Sequence, residues 1–254
     1  MSSFADLWTA SLLVSLRLAP ALAFAPPFTL LRVPGLIRVL LAVSLSFWLV
    51  SVRPELTVAR IAEAGLPGLV LGELMIGITI ALGLQLVFAA IAWAGQAIDI
   101  QAGFGLAMLA DPTTNAQLPL AGTILTYTAA MIFFATGAQY DLLALWLASV
   151  ETLPPGYGTL QPNMAALGSF LASAFFLAIG LVGAAMLAIF LADVAIAFLS
   201  RTLPQMNVLF LGFQVKAIIM VVTLPIAIGF AGALYLRLVR LAMTESTQFW
   251  SVPA

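Results

Sequence analysis

Five charged side chains lie inside long apolar stretches of the sequence: Arg17, Glu73, Asp141, Asp193 and Lys216. A charge at the centre of a membrane helix costs about 2.5–3.5 kcal/mol on insertion scales, so each needs a reason. Carboxylates set along such helices can relay protons or hold cations. They can also be charges paired between packed helices or subunits. The acids stand one per apolar run and share no motif, which favours pairing for Glu73, Asp193 and Lys216. Gln96 and Asp99 are three apart and share a helix face. They would either line a wet cavity or satisfy another subunit. Other chemistry is scarce. Cysteine and histidine are both absent, which removes disulfides, thiolate metal sites, Ser-His pairs and HExxH zinc motifs. The expectation is no catalytic residue, no metal and no cofactor.

The elements around these residues are apolar to an unusual degree. Of 254 residues, 63% are hydrophobic and 7% charged, and the mean hydropathy is +1.17. A soluble domain carries about 25% charged residues. The net charge of −1 offers no basic patch for nucleic acid. A spanning helix needs roughly 20 apolar residues. Six runs meet that length: from Trp8 to Phe28, Leu36 to Val52, Leu66 to Ala97, Leu118 to Val150, Met164 to Leu199, and Val208 to Val239. The first has no positive n-region and reads as a retained segment, not a cleaved signal. Runs of about 30 residues cover some 45 Å and must tilt, break or project from the bilayer. Gly180 and Gly183 are candidate breaks in the fifth run. Pro225, Gly229 and Gly232 are candidate breaks in the sixth. The predicted fold is all-α, a multi-helix integral membrane protein of long, broken helical hairpins.

Three local stretches stand out. Gly68 and Gly72 form a small-xxx-small pair, followed by Gly77, which would let another helix approach closely. Gly103, Phe104, Gly105, Leu106, Ala107, Met108, Leu109 and Ala110 make a Gly-broken apolar segment stopped by Asp111 and Pro112. It reads as an interfacial loop, or as an apolar constriction of the kind that gates a pore. Arg201-Thr202-Leu203-Pro204-Gln205-Met206-Asn207 reads as a helical hairpin turn. Arg201 would sit on a helix C-terminus, Pro204 would stop the helix, and Asn207 would cap the next one.

That last stretch, with Val208, Gly212-Phe213 and Lys216, resembles the late signature of the FliR family of type III export proteins. Gly72-Glu73-Leu74-Met75-Ile76-Gly77 is similar to the family's Gly-Glu-apolar-apolar-apolar-Gly motif. Asp111-Pro112 after a Gly-rich apolar loop, and Ser149 followed by Leu153-Pro154, fall in the family's order. Leu209, Gln214, Ala138 and Val150 depart from it, as in a divergent member. The resemblance covers nearly the whole chain and implies one export-gate membrane domain over residues 1–254. It implies assembly with FliP-like and FliQ-like membrane subunits, and contact with an FlhB-like switch protein and an FlhA-like export component. Unfolded export substrates and membrane lipid would be the other partners, without nucleic acid. The location implied is the bacterial inner membrane, at the flagellar basal body. The family's inner loop acts as a plug, which corresponds by position to Gly103 through Pro112. Gly68, Gly72, Glu73, Gly77, Asp193, Arg201, Pro204, Gln205, Asn207 and Lys216 would serve helix or subunit packing. A virulence injectisome subunit and a proton-coupled transporter using Glu73, Asp99 and Asp193 are the alternatives.

Overall fold

The apolar runs fold as helices. The computed structural model describes residues 4–61, 66–104, 119–155, 161–202, 208–230, 232–245 and 250–251. Helix α1 covers Phe4–Phe24, α2 Gly35–Val52, α3 Pro54–Ile61 and α4 Leu66–Ala102. They are followed by α5 Leu120–Ala135, α6 Ala138–Thr152, α7 Met164–Thr202, α8 Val208–Phe230 and α9 Gly232–Glu245. One short ladder accompanies them: β1 (Gln161–Pro162) pairs antiparallel with β2 (Trp250–Ser251), Gln161 opposite Ser251. Among the described residues, five helices are long and apolar enough to cross a membrane: α1, α2, α4, α7 and α8. The fold is all-α.

The breaks differ from the sequence expectation. Helix α7 runs unbroken for 39 residues through Gly180 and Gly183, about 59 Å at 1.5 Å per residue. Glycine lowers helix propensity by only about 1 kcal/mol, which the tertiary setting overrides. Helix α8 likewise continues through Pro225 and Gly229, but it ends at Phe230 and α9 begins at Gly232, the last of the three breaks expected in the sixth run. The sharp break falls in the fourth run, where α5 and α6 meet at 72°. Gly137 there has a φ of 78°, a left-handed conformation that glycine adopts without strain.

The chain forms two compact units. The first comprises residues 1–87, 133–172 and 239–254; the second comprises 88–132 and 173–238. In the first, α1 packs along α2, and Leu18, Leu49, Phe133, Trp146 and Phe170 are buried. The aromatic rings of Phe28, Phe133 and Phe134 meet edge to face. Arg38 donates to the carbonyls of Val33 and Ala23, fastening the α1–α2 turn. In the second unit the buried residues include Ile91, Ile98, Leu125, Ile189 and Tyr235. Large apolar side chains remain exposed on both. Leu36, Leu40 and Trp48 lie on α2, while Phe176, Phe190 and Phe198 on α7 and Phe210, Ile218 and Val221 on α8 do the same. Exposed large apolar side chains in such number mark faces that meet lipid or other protein.

Candidate functional site

The buried polar network of the first unit centres on Arg17, which is fully buried. Its guanidinium grips Glu73 of α4 side-on: Nε donates to Oε2 and Nη2 to Oε1, both at 2.7 Å. Nη1 donates to the Ser149 hydroxyl at 3.2 Å, and Nη2 also to the Leu153 carbonyl at 2.8 Å. Ser149 and Leu153 lie at the C-terminal end of α6, where helix carbonyls lack partners and a positive charge is favoured. One buried cation thus joins α1, α4 and α6. The planar fork of arginine fits a carboxylate in this two-bond geometry. Gly77 lies one turn beyond Glu73 on the same face of α4. A Cβ there would stand 2.6 Å from the Leu16 carbonyl oxygen and 2.7 Å from that of Arg17. The missing side chain therefore lets α1 come close enough for the ion pair.

The small-xxx-small pair behaves differently. At Gly68 and at Gly72, nothing among the described residues lies within 4 Å of where a Cβ would be. Among the described residues of α4 the close approach belongs to Gly77, and to Gly95 farther along. A Cβ on Gly95 would strike the backbone of Gly122 on α5.

Gly95 opens the geometry of the second unit. Asp99, one turn farther along α4, is buried and faces the N-terminus of α5. Its Oδ1 and Oδ2 accept the Ala121 N–H at 3.0 and 3.1 Å, and Oδ2 accepts the Gly122 N–H at 3.3 Å. Gln96 is exposed, so the two polar residues do not form one stripe. Helix α4 ends at Ala102. Gly103 follows with a φ of 92°, its open side against the Phe213 ring of α8. Phe104 meets the same ring edge-on, with centroids 5.7 Å apart. Gly105, Leu106, Met108, Leu109, Asp111 and Pro112 lie outside the described residues.

Lys216 of α8 pairs with Asp193 of α7 at 3.0 Å, the Asp193 side chain being 42% exposed. Both side chains stand on candidate membrane spans, where exposure is not exposure to water, so the small value of a solvent-screened surface pair does not carry over. Asp193→Asn leaves Lys216 without its carboxylate and is expected to lower the melting temperature of the detergent-solubilised protein, whereas an unchanged melting temperature would show that the pair adds nothing to stability. Arg201 is exposed in the last turn of α7. Pro204, Gln205 and Asn207 lie outside the described residues. Asp141, read from sequence as an intramembrane charge, is exposed in the first turn of α6, where a carboxylate complements the helix dipole.

The three acids of the transporter alternative are thus separately engaged: Glu73 with Arg17, Asp99 with the α5 N-terminus, and Asp193 with Lys216. Among the described residues, no group of three metal-ligating side chains comes together. Sequence reasoning missed Ser149 and Leu153 as partners of Arg17, and the close meeting of Gly95 with Gly122. The glycines were visible as letters, but their meeting depends on how α4 crosses α5.

Comparison with known proteins bears on what such a molecule belongs to. Residues 8–242 match the family described as bacterial export proteins, family 1. The flagellar biosynthetic protein FliR of Bacillus subtilis (strain 168) is 31% identical over 222 residues, covering 85% of each chain. FliR of Escherichia coli (strain K12) is 26% identical over 220 residues, covering 86% of this chain and 81% of the relative. The secretion system apparatus protein SsaT of Salmonella typhimurium is 30% identical over 166 residues, 65% of this chain and 64% of the relative.

Proposed function

The chain belongs to the bacterial export proteins, family 1, and from that membership we propose that it is a structural subunit of the flagellar type III protein export gate. The observation that carries the reading is 31% identity with a flagellar FliR across 85% of both chains. The match with the injectisome-type relative SsaT stops at 65% of this chain, which favours the flagellar branch over the virulence branch. The subunit would help form the inner-membrane channel through which unfolded flagellar proteins leave the cell, and would perform no chemistry itself. FliP-like and FliQ-like subunits would cover its exposed apolar faces, with FlhB-like and FlhA-like components beside them. The family match runs through both compact units, and we take residues 1–254 as one export-gate domain.

Within that gate, Gly103 through Pro112 would form an apolar seal that excludes water and ions. Glu73, Gly77, Asp193, Arg201, Pro204, Gln205, Asn207 and Lys216 would hold helices or subunits together, as would Gly68 and Gly72 against a partner. Deleting the gene in its host is expected to abolish motility and export of flagellar proteins. Retained motility with lost virulence secretion would transfer the protein to the injectisome. Deleting Gly103–Leu109 is expected to raise proton leakage across inner-membrane vesicles, and unchanged leakage would remove the seal from the proposal.

A further inference from the structure

Helices α7 and α8 pack antiparallel in the second unit. Lys216 meets Asp193 toward the end at which the chain passes from α7 to α8. Farther from that end the two helices part around a groove of about 250 Å³. Gly180 and Ala184 of α7, Thr223, Ile226 and Ala227 of α8, and Leu234 of α9 line it. At Gly180 a Cβ would touch only Leu234 Cδ1 among the described residues, at 4.0 Å, so the missing side chain leaves room there. The lining is hydrocarbon apart from Thr223, whose hydroxyl is spent on the Ile219 carbonyl at 2.7 Å. Such a lining favours an apolar occupant. A helix about 10 Å across outgrows that volume within one turn of about 5.4 Å. A single hydrocarbon chain is narrow enough to lie in it.

Charge stands beside the groove. The apolar span of α8 runs from Phe210 to Gly229, so Thr223 to Ala227 lie within two turns of its end, where acyl chains approach their headgroups. Helix α9 follows and is not a candidate span. It sets buried Tyr235 and Leu238 against exposed Arg237, the pattern of a helix lying at a membrane surface. Arg237 is three positions beyond Leu234, about 4.5 Å along the axis and on a neighbouring face. Among the described residues no carboxylate pairs with it.

We propose that the groove between α7, α8 and α9 binds an anionic phospholipid, with one acyl chain between Gly180 and Ala227 and the phosphate at Arg237. The apolar lining takes the chain, and the guanidinium offers two parallel N–H groups to phosphate oxygens. The site needs only a bilayer around α7 and α8, so it stands or falls separately from the export-gate reading.

The test places the full chain, in its membrane complex, in nanodiscs of phosphatidylcholine. A minor share of the lipid carries a diazirine on one acyl chain, as phosphatidylglycerol in one sample and as phosphatidylcholine in the other. After illumination, peptides bearing Gly180 to Ala184 and Thr223 to Ala227 should be labelled. Phosphatidylglycerol should label them roughly fivefold more, the worth of one cation at an anionic headgroup. Arg237→Gln should erase that preference and leave labelling by phosphatidylcholine unchanged, whereas Arg237→Lys should keep it. Gly180→Leu fills the groove and should lower labelling by both lipids. An unlabelled groove in the parent protein overturns the proposal, as does equal labelling by the two lipids. A preference that survives Arg237→Gln overturns it too. Cross-links from the groove to another subunit in place of lipid would give the groove to a partner helix and end the lipid reading. If Gly180→Leu fails to assemble, the exposed Arg237→Gln still decides.

Discussion

Replacing Glu73 with alanine is expected to destabilise the protein by about 3–5 kcal/mol, the usual consequence of stranding one member of a buried ion pair. Arg17 is fully enclosed and cannot reach water. Without Glu73 it retains only the Ser149 hydroxyl and the Leu153 carbonyl, and neither carries a compensating charge. Arg17→Met with Glu73 intact should be comparably damaging, because it strands the carboxylate. The double replacement Arg17→Met/Glu73→Leu should recover most of the loss, since apolar residues of similar volume often replace a buried pair at little cost. Thermal unfolding of the purified protein in mild detergent measures all three. Glu73→Gln separates this account from proton coupling. A structural pair predicts lost stability and lost export together. Normal stability with abolished function would point to a carboxylate that must titrate, and would return the transporter reading to consideration.

The second large effect lies one helical turn away. Gly77→Ala puts a methyl group against two carbonyl oxygens of α1, and backbone on both sides leaves no flexible side chain to yield. Overpacking of this kind costs typically 1–3 kcal/mol, occasionally more. The strain also pushes α1 away from α4 and lengthens the bonds between Arg17 and Glu73, so the two effects should couple in a double-mutant cycle. Gly68→Ala and Gly72→Ala provide the contrast. Neither new methyl meets anything among the described residues, and alanine gains up to about 1 kcal/mol of helix propensity. The isolated subunit should be unchanged or slightly steadier. If Gly72→Ala then weakens co-purification with FliP-like or FliQ-like subunits, the pair faces a partner. A Gly77→Ala protein as stable as the parent would show that α1 can shift freely, contrary to the buried node.

The helices themselves were legible in the sequence because length and hydropathy act locally. Runs such as Leu36 to Val52 needed only their composition to be placed. Glu73, Asp193 and Lys216 could be singled out for the same reason, as costly charges in apolar surroundings. Their partners could not be assigned. Arg17 and Glu73 are 56 positions apart, and no periodicity within one helix encodes which neighbour it will meet. The elbow at Gly137 was hidden for a related reason. Glycines 180 and 183 carry the same local weakness, yet α7 passes through them as one helix. The family resemblance located the motif-bearing stretches, but the capping of α5 by Asp99 follows only from the three-dimensional crossing.

The small ladder between β1 and β2 restricts how the chain can be threaded through a bilayer. Two residues that share backbone hydrogen bonds stand on one side, so the chain between them must cross an even number of times. Between Pro162 and Trp250 lie α7, α8 and α9. The first two are candidate spans and α9 is not, which satisfies that parity. The exposed pair of Arg53 and Glu151 sets the same condition on α3 through α6. If helix α4 supplies one crossing there, the bent α5–α6 pair would have to supply the other, which brings the candidate spans to six. The beginning of α1 and the strand at Trp250 then share one face of the membrane, which reporter fusions at the two ends would register as the same sign.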